Sequence, residues 1–238
     1  MIKKVLFRND KKYYWSEGDL STSSGIVKEK DLKNCEDKVK AHSGKEFDVM
    51  SANFMDSVEK IKRGVQAIME KDIGVMLVNA GVGKDSVVLD AGTGSGKLAA
   101  FLGRFCKKVY SYDIDEGSIN LANKNFEFLN INNVEVKLKD IYKGIDEKNL
   151  DAIFLDVTHP WKALGNVAKA LKNGGSLVVY VPTISQVIEF EREVKNFKFI
   201  KVKIIELLER EWYSEGLKVR PKSQMQGHTA FLCFYRKV

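Results

Sequence analysis

Val87-Val88-Leu89-Asp90-Ala91-Gly92-Thr93-Gly94-Ser95-Gly96 places three glycines at alternate positions directly behind an apolar run. Lys97 to Phe105 follows with the composition of a helix. The stretch reads as a strand, a tight turn and a helix start. Glycines without Cβ atoms let a ligand lie against the main chain. The helix that follows offers free N–H groups and the positive end of its dipole.

Two familiar nucleotide loops fail against these residues. A phosphate loop needs G-x-x-x-x-G-K-[ST], yet Ala91 stands at its first glycine and Leu98 at its last position. The dinucleotide fingerprint G-x-G-x-x-G meets Lys97 where its third glycine should be. The remaining pattern, Asp90-x-Gly92-x-Gly94-x-Gly96, resembles the first motif of the S-adenosylmethionine-dependent methyltransferases of Rossmann-like class. A glycine turn without a ligand is the plainer reading of the same residues. Two further acids bear on the choice. Lys108 to Asp113 reads as a second strand ending in a carboxylate, placed where doubly wound folds bind ribose hydroxyls, with Asp115 as the nearby alternative. Val134 to Lys139 reads as a third strand ending at Asp140-Ile141. In the methyltransferases an acid there meets the adenine amine of the cofactor.

The chain of 238 residues has room for one large domain and a small one. Its net charge of +7 suits a nucleic-acid partner, although many proteins are as basic. Cys35, Cys106 and Cys233 are scattered, and His42, His159 and His228 form no metal-spaced cluster, so neither a disulfide framework nor a metal site is expected. The chain carries neither an apolar run of membrane-spanning length nor a signal-peptide core, so a soluble, cytoplasmic protein is expected.

Short strands with turn chemistry between them fill the first 50 residues: Val5–Arg8, Lys12–Trp15, Gly25–Lys28 and Phe47–Met50. A small β-barrel-like domain is predicted over 1–52. Helices are predicted over Phe54–Arg63 and Ile68–Ala80, the second burying Ile73, Met76, Leu77 and Ala80, so that 53–83 forms a helical linker segment. Strands and helices then alternate. Strands are expected at 86–91, 108–114, 134–138, 151–157 and 176–182. Helices are expected at 97–105, 118–129, 161–171 and 185–197. This order implies a parallel sheet covered on both faces, with Gly92, Asp113, Asp140 and Asp156 converging at the carboxyl ends of its strands. Two last strands, 199–207 and 230–234, have no helix between them and are expected to pair antiparallel. The fold class is therefore α/β. The methyltransferase resemblance implies a Rossmann-like class I domain with a seven-stranded sheet over 84–238, behind the small β-rich domain.

Three later segments narrow the resemblance. The fourth strand ends Asp156-Val157-Thr158-His159-Pro160-Trp161. Arg220-Pro221 is followed by Met225, Gly227-His228-Thr229 and an apolar strand. Ile61 to Gln66 leads to Lys71-Asp72 before the glycine strand. Together these resemble the tRNA (adenine-N1)-methyltransferases that act in the T-loop, over nearly the whole chain. That family carries Asp-x-Pro-x-Pro-Trp, so Thr158 replaces its first proline. It also has Gly-Pro-Gln and then an aromatic-proline pair, where this chain has Val65 and Met69-Glu70. The aromatic is thought to help hold the flipped adenine; methionine can also pack on a ring face.

The resemblance implies the following roles. S-adenosylmethionine would be held by Asp90, Gly92, Thr93, Gly94, Ser95 and Gly96, by Asp113 and Ile114, by Asp140 and Ile141, and by Asp156 and Gln66. Met69, Pro160, Trp161, Arg220 and His228 would meet the tRNA substrate. Asp156 would accept a hydrogen bond from the exocyclic amine of a base taken out of its stack, and a strand-end helix cap is its plainer role. Trp161 either packs under the active-site loop or walls the adenine pocket. Arg220 and Lys222 are candidates for phosphate contacts. The family's tetramers imply a homo-oligomer. Two other readings stand beside this one: a non-catalytic RNA-binding subunit, and a methyltransferase for a small molecule such as a tetrapyrrole precursor.

Overall fold

The computed structural model describes residues 1–62, 64 and 67–238. Val65 and Gln66, both singled out above, lie outside the described residues. The chain forms two compact units, one holding Met1–Lys62 with Phe128–Asn130, the other Arg63–Glu127 and Ile131–Val238. The boundary falls inside the stretch read as a linker.

The first unit carries an open four-stranded antiparallel sheet, ordered Lys11–Trp15, Lys4–Arg8, Glu46–Ser51, Lys38–Lys40. A separate two-stranded ribbon pairs Leu20–Thr22 with Gly25–Val27. Leu6, Trp15, Val27, Leu32 and Phe47 form its core. The unit is β-rich as expected, but its pairing is an open sheet plus a ribbon rather than a closed barrel. One short helix, Glu29–Asn34, interrupts the strands; its six residues bury only Leu32 and are too few to show a sustained period. The helix predicted over Phe54–Arg63 stops at Val58. Asn53 and Asp56 start it with a reciprocal capping box. Lys60 and Ile61 then bond back three residues, to Ser57 and Val58, so the chain unwinds into turns while Ile61 stays buried.

Seven strands build the sheet of the second unit: β1 (Val87–Ala91), β2 (Lys108–Asp113), β3 (Val134–Leu138), β4 (Leu150–Leu155), β5 (Leu171–Val181), β6 (Phe199–Glu206) and β7 (Phe231–Lys237). They lie in the order β6-β7-β5-β4-β1-β2-β3. The first five run parallel, and β7 pairs antiparallel with both β5 and β6. The central strands are apolar on both faces: Leu89, Ile153, Leu155, Leu177 and Val179 on one side, and Val88, Phe154 and Val178 on the other, are fully buried. Helices α1 (Glu70–Ala80), α2 (Lys97–Phe105), α3 (Glu116–Leu129), α4 (Leu164–Ala170) and α5 (Ile184–Glu193) connect and cover the strands. The four residues predicted to face inward from α1 are all buried, and Gly81 ends that helix in the left-handed region at φ 66°.

Of the boundaries that differ from expectation, two have a clear local cause. The helix predicted over 161–171 divides into a 3₁₀ turn at Pro160–Ala163 and α4, because Pro160 at the first helical position fixes the local φ and no side chain caps the turn. β5 starts five residues early, since Leu171 pairs with Leu150 before the ladder shifts register and resumes at Ser176.

Candidate methyl-transfer site

β1, β2, β3 and β4 all end on one cleft, a cavity of about 560 Å³. Gly92 and Gly94 from the turn, Asp113 at the end of β2, Asp140 after β3 and Asp156 after β4 line it together. Parallel strands joined by right-handed crossovers deliver loops to one sheet edge, which explains why residues far apart in sequence meet there.

The turn is fixed by its own backbone. Gly92 N donates to the Asp156 carbonyl at 3.2 Å, and Asp156 N donates to the Ala91 carbonyl at 2.5 Å. Gly94 N donates to Asp113 Oδ2 at 2.9 Å, and Asp115 N to Asp113 Oδ1 at 2.9 Å. Asp115 instead receives the Ser118 amide at 2.7 Å at the start of α3, so of the two alternatives Asp113 is the one in the cavity. Gly96 is left-handed at φ 78°, and a Cβ on it would meet the Phe126 ring at 2.6 Å. Thr93, Ser95 and Gly96 do not line the cavity. Thr93 Oγ1 lies 2.7 Å from Ser111 Oγ, the Ser95 carbonyl accepts from Asn125 Nδ2 at 2.9 Å, and these residues build the turn from behind.

Asp90 lies one residue before the cavity wall and is buried. Ser111 Oγ donates to its Oδ2 at 2.7 Å, which leaves the Thr93 hydroxyl to donate to Ser111. Asp90 Oδ1 has no hydrogen-bond partner among the described residues. Burial pushes this carboxyl up to about 8, and the charges of Asp156 and Asp113 push the same way, against the Ser111 bond. An orphaned acceptor behind a turn that a cation can approach fits a ligand bearing an ammonium or sulfonium group.

The far wall is half-apolar. Tyr112, Ile114 and Ile141 line it, with Asp140 Oδ1 accepting from Tyr142 N at 2.9 Å. A cavity lined by the Asp113 carboxylate, by apolar side chains and by the Asp140 carboxylate offers acceptors and apolar surface of the kind a nucleoside needs.

Asp156 differs from the other acids. Among the described residues no donor reaches its carboxylate, and burial alone raises it to about 6. It caps no helix: His159 precedes the 3₁₀ turn, and no side-chain bond caps it. Val157, Thr158 and His159 continue the cavity wall, facing Pro182 and Gln186. Trp161 does not line the cavity. It packs against the sheet core and meets the His159 ring edge-on at 5.2 Å. Pro160 is buried beneath the loop.

The residues assigned to substrate lie further out. Met69 lines a second cavity of about 400 Å³ with Lys71, Glu209 and Met225. Arg220 sits on the exposed hairpin Trp212–Glu215/Lys218–Pro221, its guanidinium 5.5 Å from the Tyr213 ring centre. His228 bridges Glu206 at 2.5 Å and the Pro182 carbonyl at 2.7 Å, and the Glu206 carboxylate is the main cause of its raised pKa.

Sequence reasoning did not single out Tyr112, Tyr142, Lys139 or Gln186, all of which line the cavity. Only Gln186 carries a readable signal, the capping pattern Thr183-x-x-Gln186. Among the described residues there is no cluster of three metal-ligating side chains, and no helix is long and apolar enough to cross a membrane.

Residues 59–218 match the family described as the GCD14 subunit of the tRNA methyltransferase complex. A tRNA (adenine(57)-N(1)/adenine(58)-N(1))-methyltransferase of Methanocaldococcus jannaschii is 32% identical, over 90% of this chain and 86% of its own. A crystal structure titled tRNA (m1A58) methyltransferase from Aquifex aeolicus superposes with a TM-score of 0.85 at 28% identity, covering 99% of this chain and 96% of its own. Another, titled SAM-dependent O-methyltransferase from Thermotoga maritima, reaches 0.90 at 28% identity, covering 100% and 93%. The chain is a member of the GCD14 family of tRNA methyltransferase subunits.

Proposed function

We propose that this chain methylates N1 of adenine in the T-loop of tRNA, with S-adenosylmethionine as donor. The observation that carries the reading is one cavity joining the glycine turn, Asp113 and Asp140 to an Asp156 carboxylate that no side chain among the described residues occupies.

S-adenosylmethionine supplies an electrophilic methyl group on a positively charged sulfur. Asp113 accepts from ribose hydroxyls and Asp140 from the adenine amine of that ligand. The glycine turn would admit the ligand to the backbone, and Asp90, mostly protonated below about pH 8 in the bare protein, would oppose the ligand's positive charge as the carboxylate which that charge favours. Asp156 receives the exocyclic amine of the target adenine. This bond would raise electron density at N1, whose lone pair would form the N–CH3 bond as the methyl–sulfur bond breaks and S-adenosylhomocysteine leaves. It also opposes the positive charge that N1 acquires, and Asp156 takes a proton from the amine if one is released. Positioning supplies much of the acceleration, since the donor is already activated. No Ser, Cys or His nucleophile is needed.

Met69, Pro160, Trp161, Arg220 and His228 are proposed to shape or contact the tRNA side, Pro160 and Trp161 by supporting the Asp156 loop from beneath. A homo-oligomer, with tetramers as the expected form, and a cytoplasmic location complete the proposal.

The test is a defined, unmodified tRNA transcript incubated with labelled donor, followed by nucleoside mass spectrometry and mapping. Label in 1-methyladenosine within the T-loop is expected. Label on a hydroxyl oxygen, on a small acceptor, or on no RNA at all while the protein binds the donor overturns it.

A further inference from the structure

The loop Val157–His159 carries the cavity wall beyond Asp156, yet it belongs to no strand or helix. Its two anchors come from opposite sides of the cavity. His159 N donates to the Tyr142 hydroxyl at 3.1 Å, from the side of β3. Gln186 Nε2 donates to the Thr158 carbonyl at 3.0 Å, from the side of β5. Pro160 fixes its own φ through its ring, whereas Thr158 has no such restraint.

Gln186 is itself held rigidly. It is the third residue of α5, and its Oε1 accepts from Thr183 N at 3.2 Å and from Thr183 Oγ1 at 2.8 Å. Thr183 Oγ1 accepts in turn from Gln186 N at 3.3 Å, which closes a capping box. The amide oxygen is spent on the cap and one amide proton on the loop. A glutamate would serve the cap equally well, because that position asks only for an acceptor. Only an amide at this position does both.

We propose that Gln186 is a positioning residue for methyl transfer: it ties the Asp156 loop to the fixed N-terminus of α5 and holds the acceptor wall at Thr158. This rests on the methyltransferase reading above and adds to it the element that sets the acceptor geometry.

The distinguishing variant is Gln186→Glu. It keeps the acceptor that caps α5 and loses the donor that holds Thr158. Gln186→Ala loses both. Hydrogen exchange is measured on peptides spanning 156–161, alongside thermal melting, donor affinity by calorimetry, and kcat and KM for tRNA. Expected for Gln186→Glu are an unchanged melting temperature, loop exchange about tenfold faster, and kcat about tenfold lower at a nearly unchanged KM for tRNA with donor saturating, in line with a lost positioning contact. Gln186→Ala should show the same loop and kcat effects with a lowered melting temperature. Unchanged loop exchange in Gln186→Glu overturns the inference whatever the activity. A loosened loop with undiminished kcat overturns the positioning role. Failure of the wild-type protein to methylate tRNA would instead overturn the functional reading, and the exchange experiment would still report on the loop.

Discussion

The backbones of Gly92 and Asp156 are bonded to each other, Gly92 N to the Asp156 carbonyl at 3.2 Å. The glycine turn and the acceptor carboxylate therefore cannot shift independently. A Cβ on Gly92 would stand 3.4 Å from that carbonyl and 3.6 Å from Asp113 Oδ2, ordinary contact distances. The bare protein has room for Gly92→Ala, but the methyl group would project among the cavity-lining carbonyl and carboxylate. Gly92→Ala should leave the melting temperature nearly unchanged and weaken S-adenosylmethionine binding by about tenfold, or ~1.4 kcal/mol. Titration calorimetry reads this directly. Unaltered affinity would mean that the cofactor lies elsewhere.

Gly96, two glycines later, has a different task. Its φ of 78° disfavours a side chain, and Phe126 and the Ala122 methyl group would lie 2.6 and 3.0 Å from a new Cβ. Gly96→Ala should destabilise the fold by about 2–4 kcal/mol, the sum of a left-handed backbone penalty and overpacking. Urea unfolding tests it. A loss under 1 kcal/mol would show that the α2–α3 contact is looser than described.

These two glycines mark what the sequence could and could not disclose. The alternation of strands and helices, the apolar cores of β1 and β4, and the acids at strand ends are local patterns, and they led to the sheet and the cavity. Asp113, Asp140 and Asp156 were legible because strand ends of a parallel sheet converge. That Gly96 answers to Phe126, or that Asp90 leans on Ser111, depends on pairings about 20 to 30 residues apart that no periodicity records. The substrate side was read from the family resemblance alone. Trp161 then sits against the core, and Met69 beside a second cavity. The first unit was the least legible, because strands of three to six residues and a six-residue helix carry almost no period.

Asp156, raised to about 6 by burial, titrates within reach of an activity assay. The carboxylate is the form that accepts from the amine. The rate should therefore fall as pH drops through about 6 and level off above it. This limb should appear in kcat/KM for the cofactor, which reports the free protein. In kcat it should lie lower, since a bound sulfonium favours the carboxylate. Asp156→Asn should lose 10²–10⁴-fold in kcat, on the scale of removing an acid–base group, together with the acid limb. A variant that keeps both rate and limb would remove Asp156 from the reaction.

Asp90 links stability to pH in the opposite sense to a salt-bridged acid. Its folded pKa, about 8, lies above the ordinary carboxyl value, so the folded state binds the proton more tightly than the unfolded one. Stability from this group is complete below about pH 4 and is lost progressively as pH rises towards 8. Asp90→Asn removes the titration and keeps the shape. Relative to wild type, its melting temperature should gain between pH 5 and pH 8, reaching about 2 °C or more at pH 8. Its donor affinity should fall. Parallel melting curves across that range would contradict the burial of the Asp90 charge.

Lys71 and Asp72 pair at 2.7 Å with side chains 10% and 0% exposed. Lys71 Nζ also donates to the Leu207 carbonyl at 3.0 Å and to Thr229 Oγ1 at 2.8 Å, which ties the start of α1 to the residue just after β6 and to the second residue before β7. Tyr180 adds a long 3.3 Å bond to Asp72 Oδ2. Removing the cation alone leaves Asp72, among the described residues, with the Tyr180 hydroxyl as its remaining side-chain donor. Lys71→Met should therefore cost about 3–5 kcal/mol, the usual penalty for stranding a buried charge. Replacing both partners, Lys71→Met with Asp72→Leu, strands nothing and should recover most of that loss, because desolvating two charges offsets much of their attraction. Urea unfolding of wild type, both single variants and the double variant completes the cycle. Additive losses would mean that the two side chains are not coupled, and that α1 is held to the sheet by its apolar face alone.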